Sequence, residues 1–226
     1  MMNRSVSYVQ AVIHLVIFVG FYFLSAIVSL IVLDGIHIMM IWNAFLAFIP
    51  VFIVYLFERF KKSKIWSLVL FLSWFFFYPN SLYLVTDLIY LSKDNYMVDT
   101  GYTLSYLQDI PSYLAYFHLF IGAMLGIMTA FFSFDYFYEE FKIRFKKFRH
   151  LYFIFIPLIS SIGIYIGRFL RYNSWDLLNV FGIVKDFFRG FSWFSLLYIG
   201  IFMMIQYLVF GYIYLSRRIK KGLEKI

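Results

Sequence analysis

The chain has no cysteine. That removes disulfides, thiol nucleophiles and cysteine-ligated zinc, and it says nothing about redox compartment. Charge is scarce as well. Only 14% of the 226 residues are Asp, Glu, Lys or Arg, against about a quarter in soluble domains. A chain that is 63% hydrophobic, with mean hydropathy +0.81, cannot cover its hydrocarbon with so little charge, so lipid must be its solvent. No Gly/Ser linker, low-complexity tail or second composition interrupts it, which predicts a single transmembrane domain over residues 1–226. His-Glu-x-x-His, Gly-x-Ser-x-Gly, a phosphate loop and a dinucleotide fingerprint are all missing, so no metal site or cofactor is expected.

What is present is a series of apolar runs. A span needs about 20 residues at about 1.5 Å each. Runs at 9–33, 38–57, 65–91, 113–137, 151–170 and 191–215 predict six spans. The first is longer than the apolar region of a signal peptide and reads as a retained span. Residues 34–37 read as a short polar turn, and 92–112 and 173–190 as polar connections. The third and fifth spans are unusual. Their purely apolar parts, 65–78 and 151–166, are short, and each ends in polar residues. Short spans in corresponding places can mark a transporter's binding site.

The net charge of +8 suggests nucleic acid at first, but the positions of the charges argue for a positive-inside bias and no nucleic-acid partner. With both termini in the cytoplasm, the inner side holds Arg4; Arg59, Lys61, Lys62 and Lys64; Lys142, Arg144, Lys146, Lys147 and Arg149; and Arg217, Arg218, Lys220, Lys221 and Lys225. The outer side holds only Lys93, Arg168, Arg171, Lys185 and Arg189. Trp42, Trp175 and Trp193 fall at the outer boundary and Trp66 at the inner one, as in an aromatic belt. The expected fold is therefore an all-α integral membrane protein, a bundle of six transmembrane helices, N-in/C-in, with spans three and five short and polar at their outer ends.

Counting about 1.5 Å per residue from the inner boundary puts Asn80 about 22 Å up, Arg168 about 25, Arg171 about 30, Asp87 about 33 and Asp176 about 37 Å. Asn80, Tyr83 and Asp87 share one helical stripe, and Arg168, Arg171 and Trp175 another. Pro79 is expected to kink or break its span. Ionisable groups at such depths are costly and usually pair, so Asp87 is expected to meet Arg168 or Arg171. Asn43 should lie level with them and His118 slightly deeper. The glycine pairs Gly122/Gly126 and Gly163/Gly167 have the spacing of close helix packing, which suggests that spans four and five touch. Gln206 reads as a helix-to-helix hydrogen bond, and Glu139 and Glu140, beside Lys142 and Arg144, as a solvated charge run.

Two motifs, Pro79-Asn80-x-x-Tyr83-x-x-Thr86-Asp87-Leu88 and Gly167-Arg168-x-x-Arg171-x-Asn173-Ser174-Trp175-Asp176, resemble the signatures of a bacterial multi-pass membrane family, domain of unknown function 1361. Asn43-Ala44-Phe45-Leu46-Ala47-x-x-Pro50 is similar to a third segment of that family, with Ala44 in place of leucine. Ser81-Leu82 stands where the family commonly has Ala-Pro. The resemblance implies a bacterial cytoplasmic membrane protein and no particular reaction.

Two functions follow from the residues. In one, the protein is a small membrane enzyme or transporter for an anionic or lipid-linked ligand. Arg168 and Arg171 hold the anion, Asp87 or Asp176 is the acid–base or coupling group, and Asn80, Tyr83, Asn173 and Trp175 complete the site, supported by Asn43, Thr86 and His118. In the other, the protein is a membrane scaffold or partner subunit and the same cluster is a structural clamp. Substrate, transport direction and oligomeric state are not specified by the residues.

Overall fold

A computed structural model describes residues 8–92, 96–99, 101–173, 176 and 179–223. Six helices are long and apolar enough to cross a membrane. Those of the first half are α1 (Tyr8–Val32), α2 (Gly35–Phe60), α3 (Lys64–Thr86) and α4 (Ile110–Arg144). A hairpin of β1 (Met97–Asp99) and β2 (Leu104–Tyr106) precedes α4. After it come α5 (Arg149–Tyr165), the ten-residue α6 (Val180–Arg189) and α7 (Trp193–Leu223). The chain forms two compact units, Met1–Phe134 and Asp135–Ile226.

In the first unit the helix stops are local. Leu33 has a left-handed backbone (φ 56°), which turns the chain sharply before Asp34. The Asp34 carboxylate then accepts hydrogen bonds from the backbone N–H groups of Ile36 and His37 and starts α2, satisfying donors that a helix N-terminus leaves open. His37 is therefore helical, and the polar turn expected at 34–37 is shorter than its residues suggested. Ser63 caps α3 in the same way. On α2 the buried Met40, Ala44, Ala47, Val51 and Val54 form one helical stripe; on α3 Leu70, Trp74, Tyr78 and Leu82 form another. The Ser81 hydroxyl donates to the Ala47 carbonyl across the two helices (2.8 Å).

Three expectations need correction here. Pro79 does not break its helix, because α3 runs on to Thr86 and continues as a 3-10 turn, Asp87–Tyr90. Proline forfeits one backbone bond, and the apolar packing on both sides of it keeps the rod whole. Residues 92–112, expected only as a polar connection, contain the antiparallel pair of β1 and β2, with Val98 opposite Ser105. Finally, the glycines of the fourth span meet neighbours other than the fifth. A Cβ on Gly122 would collide with the end of Met40 on α2, and one on Gly126 with the Ser81 carbonyl on α3. The close packing read from the glycine spacing joins α4 to α2 and α3; spans four and five do touch, but through rings, Tyr138 and Phe141 of α4 against Tyr152 of α5.

In the second unit α5 and α7 pack along their lengths through hydrogen bonds and rings. The Gln206 amide donates to the Pro157 carbonyl (3.2 Å) and the Ser161 hydroxyl (3.0 Å), the helix-to-helix bond expected of it. Phe169 meets Tyr198 of α7 edge-on, and at the other end of α5 Tyr138 and Phe141 of α4 lie in tilted contact with Tyr152. Glu139 and Lys142 pair at 2.8 Å with both side chains partly exposed. The stretch 173–190, expected to be a loop, includes the strongly amphipathic α6. Its Ile183 is buried, and Phe187 packs against Tyr165. The rest of its apolar face, Phe181 (92% exposed) and Phe188 among it, is open. A helix this short goes unnoticed in a search for 20-residue runs.

Candidate functional site

Each unit has its own polar end. In the first unit Asp87 closes α3. It is 1% exposed, and a buried carboxylate without donors is costly. The Asn43 amide donates to its Oδ2 at 3.0 Å. Asn43 and Asp87, expected at one level from span lengths, are thus in contact. The Asn80 amide donates to the Phe77 carbonyl (3.2 Å). Thr86 donates to the Tyr83 carbonyl (2.6 Å), which tightens the last turn of α3 under Asp87.

The second unit's polar end is built differently. α5 does not simply stop. Ile166–Leu170 forms a π-helical turn that carries Gly167 and Arg168, and Arg171 follows with a left-handed backbone (φ 59°). Wide turns of this kind occur often at functional sites, and a non-glycine residue at positive φ costs on the order of 1–2 kcal/mol. Arg168 is half-buried and Arg171 exposed. Two bonds then order the chain beyond. The Tyr172 hydroxyl donates to Asp186 Oδ2 on α6 (2.6 Å), and that bond holds the phenol above its ordinary range. The Asp176 carboxylate accepts from the Asn173 backbone N–H (2.6 Å), so the structure unites these two predicted residues in a local turn. Ser174 and Trp175 lie outside the described residues.

His118 belongs to a group that the sequence did not bring together. It is 0% exposed and His37 1%. The Ser25 hydroxyl lies 2.8 Å from the Phe21 carbonyl and 2.7 Å from His118 Nε2; with its proton directed at the carbonyl, its oxygen accepts from His118 Nε2. His118 Nδ1 is then an acceptor, and His37 Nδ1 donates to it (2.8 Å). His37 Nε2, left without a proton, faces Asp34 Oδ2 at 3.8 Å. The four histidines read as scattered, because Ser25, His37 and His118 are far apart in the chain. A partial signal did exist: Asp34-x-x-His37 stands just before one span and His118 near the start of another, on the same side of the membrane.

As for metals, two nitrogens of a tetrahedral zinc would lie roughly 3.3 Å apart, given ligand distances of about 2.0–2.1 Å. The 2.8 Å between His37 and His118 is the length of a hydrogen bond. Among the described residues no three His, Asp or Glu side chains converge as metal ligands. A cavity of about 230 Å³ in the first unit is lined mostly by hydrocarbon, including Ile17, Phe48 and Met128, together with His14 and Thr129. None of the polar-end residues lines it.

The profile of the family described as "Protein of unknown function (DUF1361)" matches residues 42–209, from Trp42 on α2 to Val209 on α7. The chain belongs to the DUF1361 family. No curated protein and no solved structure matches the chain. Both polar ends lie inside the DUF1361 match, whereas Ser25, Asp34 and His37 precede it. This DUF1361 chain is a multi-pass membrane protein, with six helices long and apolar enough to span.

Proposed function

We propose that the protein is a small membrane enzyme or transporter that binds an anionic or lipid-linked substrate at the outer face of a bacterial cytoplasmic membrane. The observation that carries this reading is the backbone around the two arginines. A π turn at Arg168 and a left-handed Arg171 are costly shapes, and such shapes cluster where ligands are held. Guanidinium groups suit phosphate or carboxylate. Asp87 supplies a buried carboxylate oriented by Asn43, suited to acid–base or coupling work, with Asn80 and Asn173 as orienting groups and Tyr83 and Trp175 completing the site. Asp176 is the weaker candidate because it already accepts from Asn173. The open apolar face of α6, next to Lys185 and Arg189, suits a headgroup region and favours a lipid-borne anion. The outward direction of both polar ends rests on the charge bias, with fifteen of the twenty Lys and Arg on the other side.

The test is retention of anionic lipid. Purified protein from nanodiscs of phosphatidylcholine with phosphatidylglycerol should keep phosphatidylglycerol in native mass spectra, and Arg168→Gln and Arg171→Gln should lose it. Equal retention by both variants refutes the reading. Addition of inorganic phosphate separates a free anion from a lipid-borne one.

The clamp reading has one observation in its favour: Asp87 is buried and already accepts from the Asn43 amide. A clamp predicts that Asp87→Asn and Arg168→Gln both destabilise, with the double variant less affected than the sum. A ligand site predicts single variants that fold well, because such charges are often held at a cost to stability.

A further inference from the structure

The group formed by Asp34, His37, His118 and Ser25 has a use that the anion reading does not require. Polar groups inside hydrocarbon are expensive and tend to mark function. Here two imidazoles are buried among α1, α2 and α4, and every ring nitrogen but one is engaged in a hydrogen bond. That remaining atom is His37 Nε2. It faces Asp34, whose side chain is 40% exposed and so joins the group to water at the polar end. We propose that the chain from Asp34 through His37 and His118 to Ser25 is a binding site for a single proton, taken from water onto His37 Nε2.

The stoichiometry follows from the bonds. A proton added at His37 Nε2 breaks nothing, since Nδ1 keeps its proton and still donates to His118. The product is an imidazolium opposite a carboxylate. A proton added to His118 would land on Nδ1, which would then oppose the N–H of His37 at 2.8 Å; that contact would have to open. One proton therefore enters and a second is refused. The inner end is closed as well, because the Ser25 hydroxyl is committed to the Phe21 carbonyl. The group holds its proton and does not carry it across the membrane.

Asp34 is the deciding partner. His37 lies in the first turn of α2, where the helix dipole opposes a cation. The charged and titratable groups facing His37 are Asp34 on its own element and His118 on α4. The Ser25 and Phe21 side of α1 offers a hydroxyl, a carbonyl and a ring stacked on His118. The Asp34 carboxylate supplies the negative charge that balances the imidazolium, and its removal takes that balance away.

The full-length protein labelled with 15N-histidine, in nanodiscs, tests this directly. At about pH 8 His37 should carry its proton on Nδ1 and His118 on Nε2. On acidification to about pH 5, across the usual range of histidine, His37 alone should become doubly protonated. Wild type should then take up one proton more than His37→Gln. Asp34→Asn keeps a good helix cap and removes the charge, and it should lose that uptake. The proposal is overturned if His118 or both rings become charged, if neither does while the fold persists, or if Asp34→Asn takes up the proton as wild type does.

Discussion

The two polar ends put charge into hydrocarbon by opposite means. In the first unit Asp87, His37 and His118 are buried and hydrogen-bonded: Asn43 to Asp87, His37 to His118, His118 to Ser25. The backbone there has a left-handed residue at Leu33 and a 3-10 turn from Asp87, but no π turn interrupts its described helices, and the stabilisation comes from complementary side chains. In the second unit the backbone itself is distorted, with a π turn and a left-handed arginine, and Arg171 is exposed. A closed bond network suits holding a fixed state, whereas a distorted mouth with exposed cations suits something that arrives from outside. Charge alone would not separate the two ends.

The largest effect expected in breaking this comparison is at Gly126. A side chain there meets the Ser81 backbone carbonyl, which cannot step aside, so Gly126→Leu should cost about 3 kcal/mol or more by overpacking, read as loss of thermal stability. Gly122→Ala should cost far less, because its neighbour is the flexible end of Met40. Equal losses at the two sites would mean that α4 does not pack on α3 as described.

Next comes Asn43→Leu, which strips the Asp87 carboxylate of a donor and should cost about 1.5–3 kcal/mol. The corresponding change at the other end, Arg171→Gly, should behave in reverse. It relieves a positive φ and should change stability by no more than about 1 kcal/mol, while abolishing retention of phosphatidylglycerol. A large loss of stability in Arg171→Gly would remove the contrast between the ends.

Gln206→Leu should cost about 1 kcal/mol, the usual worth of an interhelical bond in lipid. A smaller effect is expected at Asp109. It accepts from the Ser112 hydroxyl (2.6 Å) and backbone N–H (3.0 Å) at the start of α4, and those bonds hold its carboxyl below the ordinary range. A lowered value means that its contribution is present at neutral pH and is lost as pH falls through the lowered value. Amide exchange at Ser112 should therefore quicken in strongly acidic solution in wild type, and Asp109→Asn should flatten that dependence. Orientation is read without energetics. The chain has no native cysteine, so Tyr102→Cys should react with an impermeant thiol reagent in intact cells and Lys147→Cys should not.

Much of this architecture was legible in the sequence. Six spans, the Asn43–Asp87 level and the Gln206 bond follow from run length and from the cost of polar groups in hydrocarbon, which act on each helix separately. The amphipathic α6 was missed because it is too short to register as a span. The continuity of α3 was misjudged because one proline's lost bond was weighed without the packing around it. The partner of the α4 glycines was misassigned because spacing reveals a close approach but not whose backbone approaches.

Composition alone determined that this protein lives in lipid, since its charge cannot cover its hydrocarbon, and the periodicity of polar interruptions determined which residues end each span. Only the tertiary structure decided that His37 and His118 share a hydrogen bond 81 residues apart, and that Arg171 takes a left-handed backbone. Both depend on which helix faces share an interior and on how one segment's path is forced by its neighbours, and a single helix's sequence carries neither.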